Sequence, residues 1–384
     1  MSRCTHVVLL HAYSSKNSGD GLLVELSINL LKSAFGERTR VSIVAADPAS
    51  FPHYSDVHPA PVLADSGLSR VVCAAALVLP IARHRGMGAL LRILESADLV
   101  VGVGGGYLRA RNAVEALKLE AGHLLQMRAA RLSGKPVVYL PQSIGPATPA
   151  WPLRERLRGM LRQFSTVFVR DDRSEALLAD NSNTSRVPDL AVMDFERRSA
   201  EIMTRVGKSN PHVKHIAFVL RKAPSWTKQQ RERYETATRQ LIHRLGQTCR
   251  ISFALQSMGR GNDDLAYCRS IGISGELVPL KELLLDDTPD VVVSVRLHGS
   301  LESILSGVPS YHLSYERKGF GAYADLGLVD WVANAADFDA DEVAKTILKP
   351  NAIREFWANA SSGFERIRTG RDRVLAALQA ARRV

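Results

Sequence analysis

Long hydrophobic runs, paired cysteines and clustered aromatics are all missing from this 384-residue chain, and each absence removes a class of protein. The longest apolar run, Val71 to Ala82, is interrupted by Pro80 and bounded by Arg70 and Arg83, too short to span a bilayer. It reads either as a buried segment or as an interfacial membrane contact. Cys4, Cys73, Cys249 and Cys268 are scattered, with no Cys-x-x-Cys and no histidine at metal-ligand spacing, so neither a disulfide framework nor a zinc site is expected. Aromatic residues make up 6% of the chain, and no basic stretch is interleaved with Phe or Tyr as stacking on single strands requires, so nucleic acid is not an expected partner. The first residues run straight into the strand-like Val7 to Leu10 without signal-peptide architecture, and a reducing cytoplasm is the expected compartment.

Motif absences narrow the chemistry further. A dinucleotide fingerprint after Gly102-Val103-Gly104 would need glycine at position 107, which is Tyr107. The chain also lacks a phosphate-binding Gly-x-x-x-x-Gly-Lys-Ser/Thr loop, zincin spacing, a Gly-x-Ser-x-Gly elbow and a calcium loop.

What is present is a positive balance: Lys+Arg 50 against Asp+Glu 39 gives a formal charge of +11. Such a balance favours an anionic partner, whether anionic lipid or phosphorylated substrate. The length implies two domains, and the hydrophobic fraction of 46% is ordinary for a globular chain.

Hydrophobic patterning alternates strand and helix through the first half: strands at Val7 to Leu10, Val41 to Ala45, Asp98 to Val103, Pro136 to Leu140 and Thr166 to Val169, with helices between them. A polar, basic stretch follows, and then a second series with strands at Ile216 to Leu220, Arg250 to Leu255, Asp290 to Val295 and Tyr311 to Ser314. The expected division is an N-terminal Rossmann-like domain over 1–195, a linker over 196–215, a C-terminal Rossmann-like domain over 216–350 and, over 351–384, an amphipathic helix packing back on the core.

Ser294-Val295-Arg296-Leu297-His298-Gly299-Ser300 carries the sharpest chemical signal. The buried strand Asp290 to Val295 places Arg296 and His298 at its carboxyl end, with a helix expected to begin near Gly299 and to point its N–H groups the same way. That is where an α/β sheet binds an anion, though a salt-bridged strand end fits the same residues. Arg170, Arg221 and Lys318 follow other strand ends, and with Arg296 they form a candidate clamp for a small, multiply charged anion. Asn17-Ser18-Gly19-Asp20 closes the first strand. There Asp20 is placed either to cap the helix or to orient or deprotonate a substrate hydroxyl. Gly104-Gly105-Gly106 permits close approach of a ligand or a backbone, and Gln142 can hold a hydroxyl or a carboxylate. Asp339-Ala340-Asp341 has the spacing of some metal-dependent glycosyltransferases, but capping of the following helix explains it better.

Taken in order, Asn17-x-Gly19-Asp20, Gly104-Gly105-Gly106, Gln142-Ser143-Ile144-Gly145-Pro146, Arg170-Asp171, Pro188-Asp189, Arg296-Leu297-His298, Gly307-Val308-Pro309 and Tyr315-x-x-Lys318 resemble the polysaccharide pyruvyl transferase family over about residues 10 to 325. The resemblance implies a GT-B-like α/β fold, with two Rossmann-like domains facing across a cleft. It also implies transfer of the carboxyvinyl unit of phosphoenolpyruvate to two hydroxyls of one sugar as a cyclic ketal. Carried over residue by residue, Arg170, Arg296 and Lys318 fall where the family binds phosphoenolpyruvate, and His298 falls on its catalytic histidine. Arg221 joins the donor side from its strand-end position. Asp20 is the acceptor-side candidate, and Asn17, Gly105, Gly106 and Gln142 are expected to line the cleft. No metal or organic cofactor is expected. The expected partners are phosphoenolpyruvate and a sugar acceptor, polymeric or lipid-linked, with peripheral contact to anionic membrane if lipid-linked. Two other functions fit the same features: a GT-B glycosyltransferase using a nucleotide sugar, and a non-catalytic protein binding polyanions or membrane surfaces.

Overall fold

The computed structural model describes residues 4–61, 85–146, 151–207, 212–222, 226–259 and 262–383. The apolar run Val71 to Ala82 lies outside them. The chain divides into two compact units. Unit 1 holds Met1–Ser15, Leu23–Leu190 and Gly370–Val384, and unit 2 holds Lys16–Leu22 and Ala191–Thr369.

Unit 1 is built on a parallel sheet of β1 (His6–Ala12), β2 (Arg40–Ala45), β3 (Val57–Pro59), β4 (Leu99–Gly102), β5 (Val137–Gln142), β6 (Thr166–Val169) and β7 (Thr184–Arg186). Their spatial order is β3-β2-β1-β4-β5-β6-β7. Every residue of β1 and β5 is buried, which explains why these strands read as continuous apolar runs and not as alternations. Val8, Leu10, Val100, Val137 and Tyr139 belong to one core cluster that also takes in Leu124, Met127 and Leu161 from flanking helices.

Unit 2 repeats the plan. Its strands are β8 (His215–Val219), β9 (Arg250–Leu255), β12 (Val278–Pro279), β13 (Val291–Ser294), β14 (Ser310–Ser314) and β15 (Val332–Asn334), while β10 (Met258–Gly259) and β11 (Asn262–Asp263) form a separate antiparallel pair. The main sheet is parallel in the order β12-β9-β8-β13-β14-β15. Both sheets therefore reverse direction of growth at one place, between β1 and β4 and between β8 and β13. In such sheets ligands bind outside the carboxyl ends of the strands at that reversal.

Two stretches differ from the sequence reading. The segment 196–215, expected as a linker, is helical to Arg197 and again over Ser199–Val206, because Ile202 finds a buried place. The C-terminal segment forms two helices, Ala352–Ser362 and Phe364–Arg382, in place of one. They part at Gly363, where a side chain would run into the carbonyl of Asp325. Of the apolar residues at helical spacing, Ile353, Trp357, Ala360, Ile367, Val374 and Leu378 are buried, while Phe364 is only half-buried.

Candidate active site

In unit 2 the reversal point is bounded by the ends of β8, β13 and β14. β8 runs out into Leu220 and Arg221, and β13 runs through Val295 and Arg296 into the helix Leu297–Leu305. The turn after β13 is made by Ser294: its hydroxyl accepts the Arg296 N–H at 3.1 Å and donates to the Arg296 carbonyl at 2.8 Å. This local closure starts the helix two residues earlier than the sequence reading placed it. His298 consequently sits in the first helical turn and not in the preceding loop. Glycine is required at 299, where a Cβ would come 2.8 Å from Ser294 Oγ and 3.0 Å from Gln256 Oε1.

The cations here are not bare. Arg296, 6% exposed, donates from Nε to Asp264 Oδ2 at 2.7 Å and from Nη2 to Asp264 Oδ1, a two-pronged pair with a carboxylate 1% exposed. Arg221 Nη1 donates to the Tyr315 hydroxyl at 2.6 Å, with the guanidinium 4.9 Å from the Tyr315 ring centre. Burial holds Arg221 below its ordinary pKa, and the neighbouring charge of Arg296 acts in the same sense, which places the two cations within electrostatic reach. Lys318 Nζ lies 3.0 Å from Glu316 Oε2. The salt-bridged strand end that the sequence also allowed is what stands here, with Arg296 paired to Asp264 and Lys318 to Glu316. Charge taken out of water must be paired, and the pairing also fixes orientation.

The segment Lys16–Leu22 belongs to unit 2 although the chain on both sides of it belongs to unit 1. It forms a strap held to the backbone after β9: Ser18 N–H donates to Gln256 O at 3.1 Å, and Asn17 bridges Ser257. Gly19 lies against His298, since a Cβ at position 19 would come 2.8 Å from His298 Cβ and 2.9 Å from its Nδ1. The helix starts at Ser18, so Asp20 is within the first turn and is not the capping residue. Asn17 takes that part, accepting the Gly19 N–H at 3.3 Å and donating to Asp20 Oδ2 at 2.8 Å.

The remaining sequence-derived residues gather in unit 1, at the ends of β4, β5 and β6. Gly105 bridges Gln142, and Ser143 N–H donates to Gly105 O at 2.7 Å. Gln142, fully buried, donates from Nε2 to Val103 O and to the Tyr107 hydroxyl. Arg170 is paired with Asp189 and donates from Nε to Ser143 Oγ at 2.9 Å; both members of the pair are almost wholly buried. Its Nη2 is 3.6 Å from where a Cβ on Gly106 would stand. Arg170 Nη2 and Gln142 Oε1 are buried with no hydrogen-bond partner among the described residues, an arrangement that water or a ligand would complete. Asp171 is a helix cap, accepting the Ser174 N–H, and Asp339 caps the helix Ala340–Leu348 in the same manner.

Sequence reasoning missed a second cluster in unit 1. β1 carries an irregularity between Leu9 and Ala12, and His11 there adopts φ 70°, unusual for a residue other than glycine. Its Nδ1 is 3.2 Å from His123 Nδ1 and its Nε2 is 2.7 Å from the Tyr139 hydroxyl. His123 closes a π-helical turn, Leu119–His123, and stacks on Tyr107. Burial lowers His123 to about 4 and drives His11 well below its ordinary value, so both rings are neutral near pH 7. Among the described residues no group of three or more His, Cys, Asp or Glu could hold a metal ion, and no helix is long and apolar enough to cross a membrane.

The model of the polysaccharide pyruvyl transferase family matches residues 17–317, from the strap through the helix that carries His298 to Arg317. The chain belongs to that family. No curated protein matches it in sequence. In fold it resembles Anabaena HepE in complex with UDP and glucose, with TM-score 0.55, 12% identity and 98% of this chain and 100% of that chain covered. It also resembles a UDP-N-acetylglucosamine 2-epimerase, itself described as putative, from Listeria monocytogenes (TM-score 0.54, 10% identity, 99% and 96% covered) and the UDP-GlcNAc 2-epimerase of Methanocaldococcus jannaschii (0.52, 9%, 97% and 99%). At these identities the likeness is one of fold: two Rossmann-like α/β domains of the kind found in GT-B glycosyltransferases and epimerases.

Proposed function

We propose that this pyruvyl transferase takes its carboxyvinyl unit from phosphoenolpyruvate and closes a ketal across two hydroxyls of one sugar in a cell-surface glycan or its precursor. The observation that carries the reading is the set Arg221, Arg296, His298 and Lys318 at the carboxyl ends of β8, β13 and β14, the ligand end of a reversal point. Phosphoenolpyruvate bears a carboxylate and a phosphate. The planar, two-pronged Arg296 suits the first kind of oxyanion, and Lys318 with Arg221 supplies charge for the second. Arg170, already paired with Asp189, is the unit 1 residue that the family resemblance assigns to the donor.

The chemistry asked of the site balances without a further reactant. His298 delivers a proton to the methylene carbon of the donor while one sugar hydroxyl adds to the neighbouring carbon, its own proton passing to a base for which Asp20 is the candidate. The second hydroxyl then displaces phosphate, which leaves carrying the proton of that hydroxyl. No metal is needed on this account, and EDTA should leave turnover unchanged. The positive balance of the chain fits a lipid-linked acceptor held at an anionic membrane, in the compartment where the donor is made. Full activity on water-soluble glycosides with no salt-sensitive binding to anionic vesicles would remove that part of the reading.

Ligand-dependent stability separates this function from that of a nucleotide-sugar transferase. Phosphoenolpyruvate should raise the melting temperature while UDP-sugars leave it unmoved, and the reverse pattern would sink the proposal.

A further inference from the structure

We propose that Asp264, which the donor and sugar are not required to touch, is the positioning residue of the unit 2 site: one carboxylate sets both the guanidinium of Arg296 and the surroundings of His298. The inference rests on the pyruvyl-transfer reading for the roles of those two residues, but its geometry stands apart from it. Asp264 is the first residue of the helix Asp264–Ser270, where an acidic side chain ordinarily complements the helix N-terminus from the surface. The cap itself is Asp263, whose carboxylate accepts the Ala266 N–H at 2.9 Å. Asp264 instead turns inward and is almost wholly buried.

There its Oδ2 accepts from Arg296 Nε at 2.7 Å, from Ser257 N at 3.0 Å and from Gln256 N at 3.2 Å, while Oδ1 takes Arg296 Nη2. Its own N–H donates to Ser257 O at 3.0 Å. The turn Gln256–Ser257 is thus fixed from within, and that turn holds neighbours of His298 on two sides. Outward it holds the strap through Ser18 and Asn17, which seats Gly19 against the imidazole. Inward the side chain of Gln256 abuts Gly299, the residue after His298. Three determinants of the site therefore converge on one carboxylate: the direction of Arg296, the position of the strap and the first turn of the helix that carries His298. Neutralising a buried guanidinium with a group that also orders the neighbouring backbone gives orientation at no cost in uncompensated charge.

The test uses the full chain with Asp264→Asn, which keeps shape and one acceptor but removes the charge. Phosphoenolpyruvate affinity is measured by calorimetry, and the ring titration of His298 is followed by NMR, its signal assigned by its loss in His298→Gln. A positioning role predicts donor affinity weakened about tenfold or more and a His298 midpoint moved by about half a unit or more. A folded variant with a lower melting temperature but the same donor affinity and the same His298 titration would overturn the proposal. Should Asp264→Asn fail to fold, Asp264→Glu keeps the charge and displaces it by one methylene, and the same two readouts decide in the same way. Absence of phosphoenolpyruvate binding in the wild-type chain would refute the donor reading alone, leaving the His298 titration to judge Asp264.

Discussion

The two units share the start of their sheets almost atom for atom and diverge completely at the other end. In unit 1, His6 N–H donates to Asp98 at 2.9 Å, its ring meets Ser42 Oγ at 2.7 Å, and Asp98 N–H returns to His6 O at 2.8 Å. In unit 2, His215 N–H donates to Asp290 at 2.9 Å, its ring meets Ser252 Oγ at 2.7 Å, and Asp290 N–H returns to His215 O at 2.9 Å. Even the registers agree, His6 beside Arg40 and His215 beside Arg250. At the carboxyl ends, β1 leads into the neutral pair His11–His123 and β4 into three glycines, while β8 leads to Arg221 and β13 to Arg296 and His298. Strand starts in such sheets are under demand for stability alone, and strand ends are where ligands bind. One frame thus occurs twice while the strands beside the two reversal points end differently, in paired cations in unit 2 and in neutral imidazoles and glycines in unit 1.

The largest effect that would break this contrast is at His298. Its replacement by Ala should lower ketal formation by about 10²- to 10⁴-fold with donor affinity largely kept, whereas unaffected transfer would remove it as the acid. Next come the paired arginines. Arg296→Ala and Arg170→Ala each leave a buried carboxylate uncompensated, Asp264 in unit 2 and Asp189 in unit 1, and each should cost about 3–5 kcal/mol in denaturant titrations. Donor affinity measured alongside should fall for Arg296→Ala, and an unchanged affinity would take Arg296 off the donor.

Acid should destabilise the fold by a comparable amount. His312 is buried, bonded to Ser294 O at 2.9 Å and lowered to about 4, first by burial and further by the charge of Lys318. The unfolded chain binds this proton more readily than the folded one, so stability is complete above about pH 6.5 and declines as pH falls toward 4. The loss for His312 is about 3 kcal/mol, from the gap between its ordinary and folded values. His312→Gln, if folded, should flatten that part of the stability profile. The smallest effect tests the repeated frame itself: Ser252→Ala should cost about 1 kcal/mol for its histidine–serine bond, and Ser42→Ala more, because its hydroxyl also donates to Asp56 Oδ2 at 2.7 Å. No loss at Ser252→Ala beside a large one at Ser42→Ala would mean that the resemblance of the strand starts is geometric without being energetic.

Much of this architecture could be read before any coordinates. Fully buried strands such as Val291 to Ser294 betray themselves as apolar runs, and the Rossmann-like alternation follows from them. Strand ends then place Arg221, Arg296 and Lys318 without further information. What could not be read is non-local. Nothing in the local pattern says that Asp264 will close on Arg296, that Asp189 will close on Arg170, or that Gly19 will lie on a histidine near the end of the chain. The start of the helix at Leu297 depends on two hydrogen bonds made by Ser294, and the His11–His123 contact depends on an irregular strand and a π turn, neither of which has a compositional signature.

The central claim is that unit 2 holds phosphoenolpyruvate for ketal formation. Mass spectrometry of a panel of hexose and N-acetylhexosamine glycosides, incubated with the protein and phosphoenolpyruvate, tests it most directly. The account predicts a product heavier by one pyruvate less one water, with phosphate released in equal amount and neither seen with His298→Ala. Glycosyl transfer from an added UDP-sugar, with no pyruvylated product on any glycoside, would contradict it.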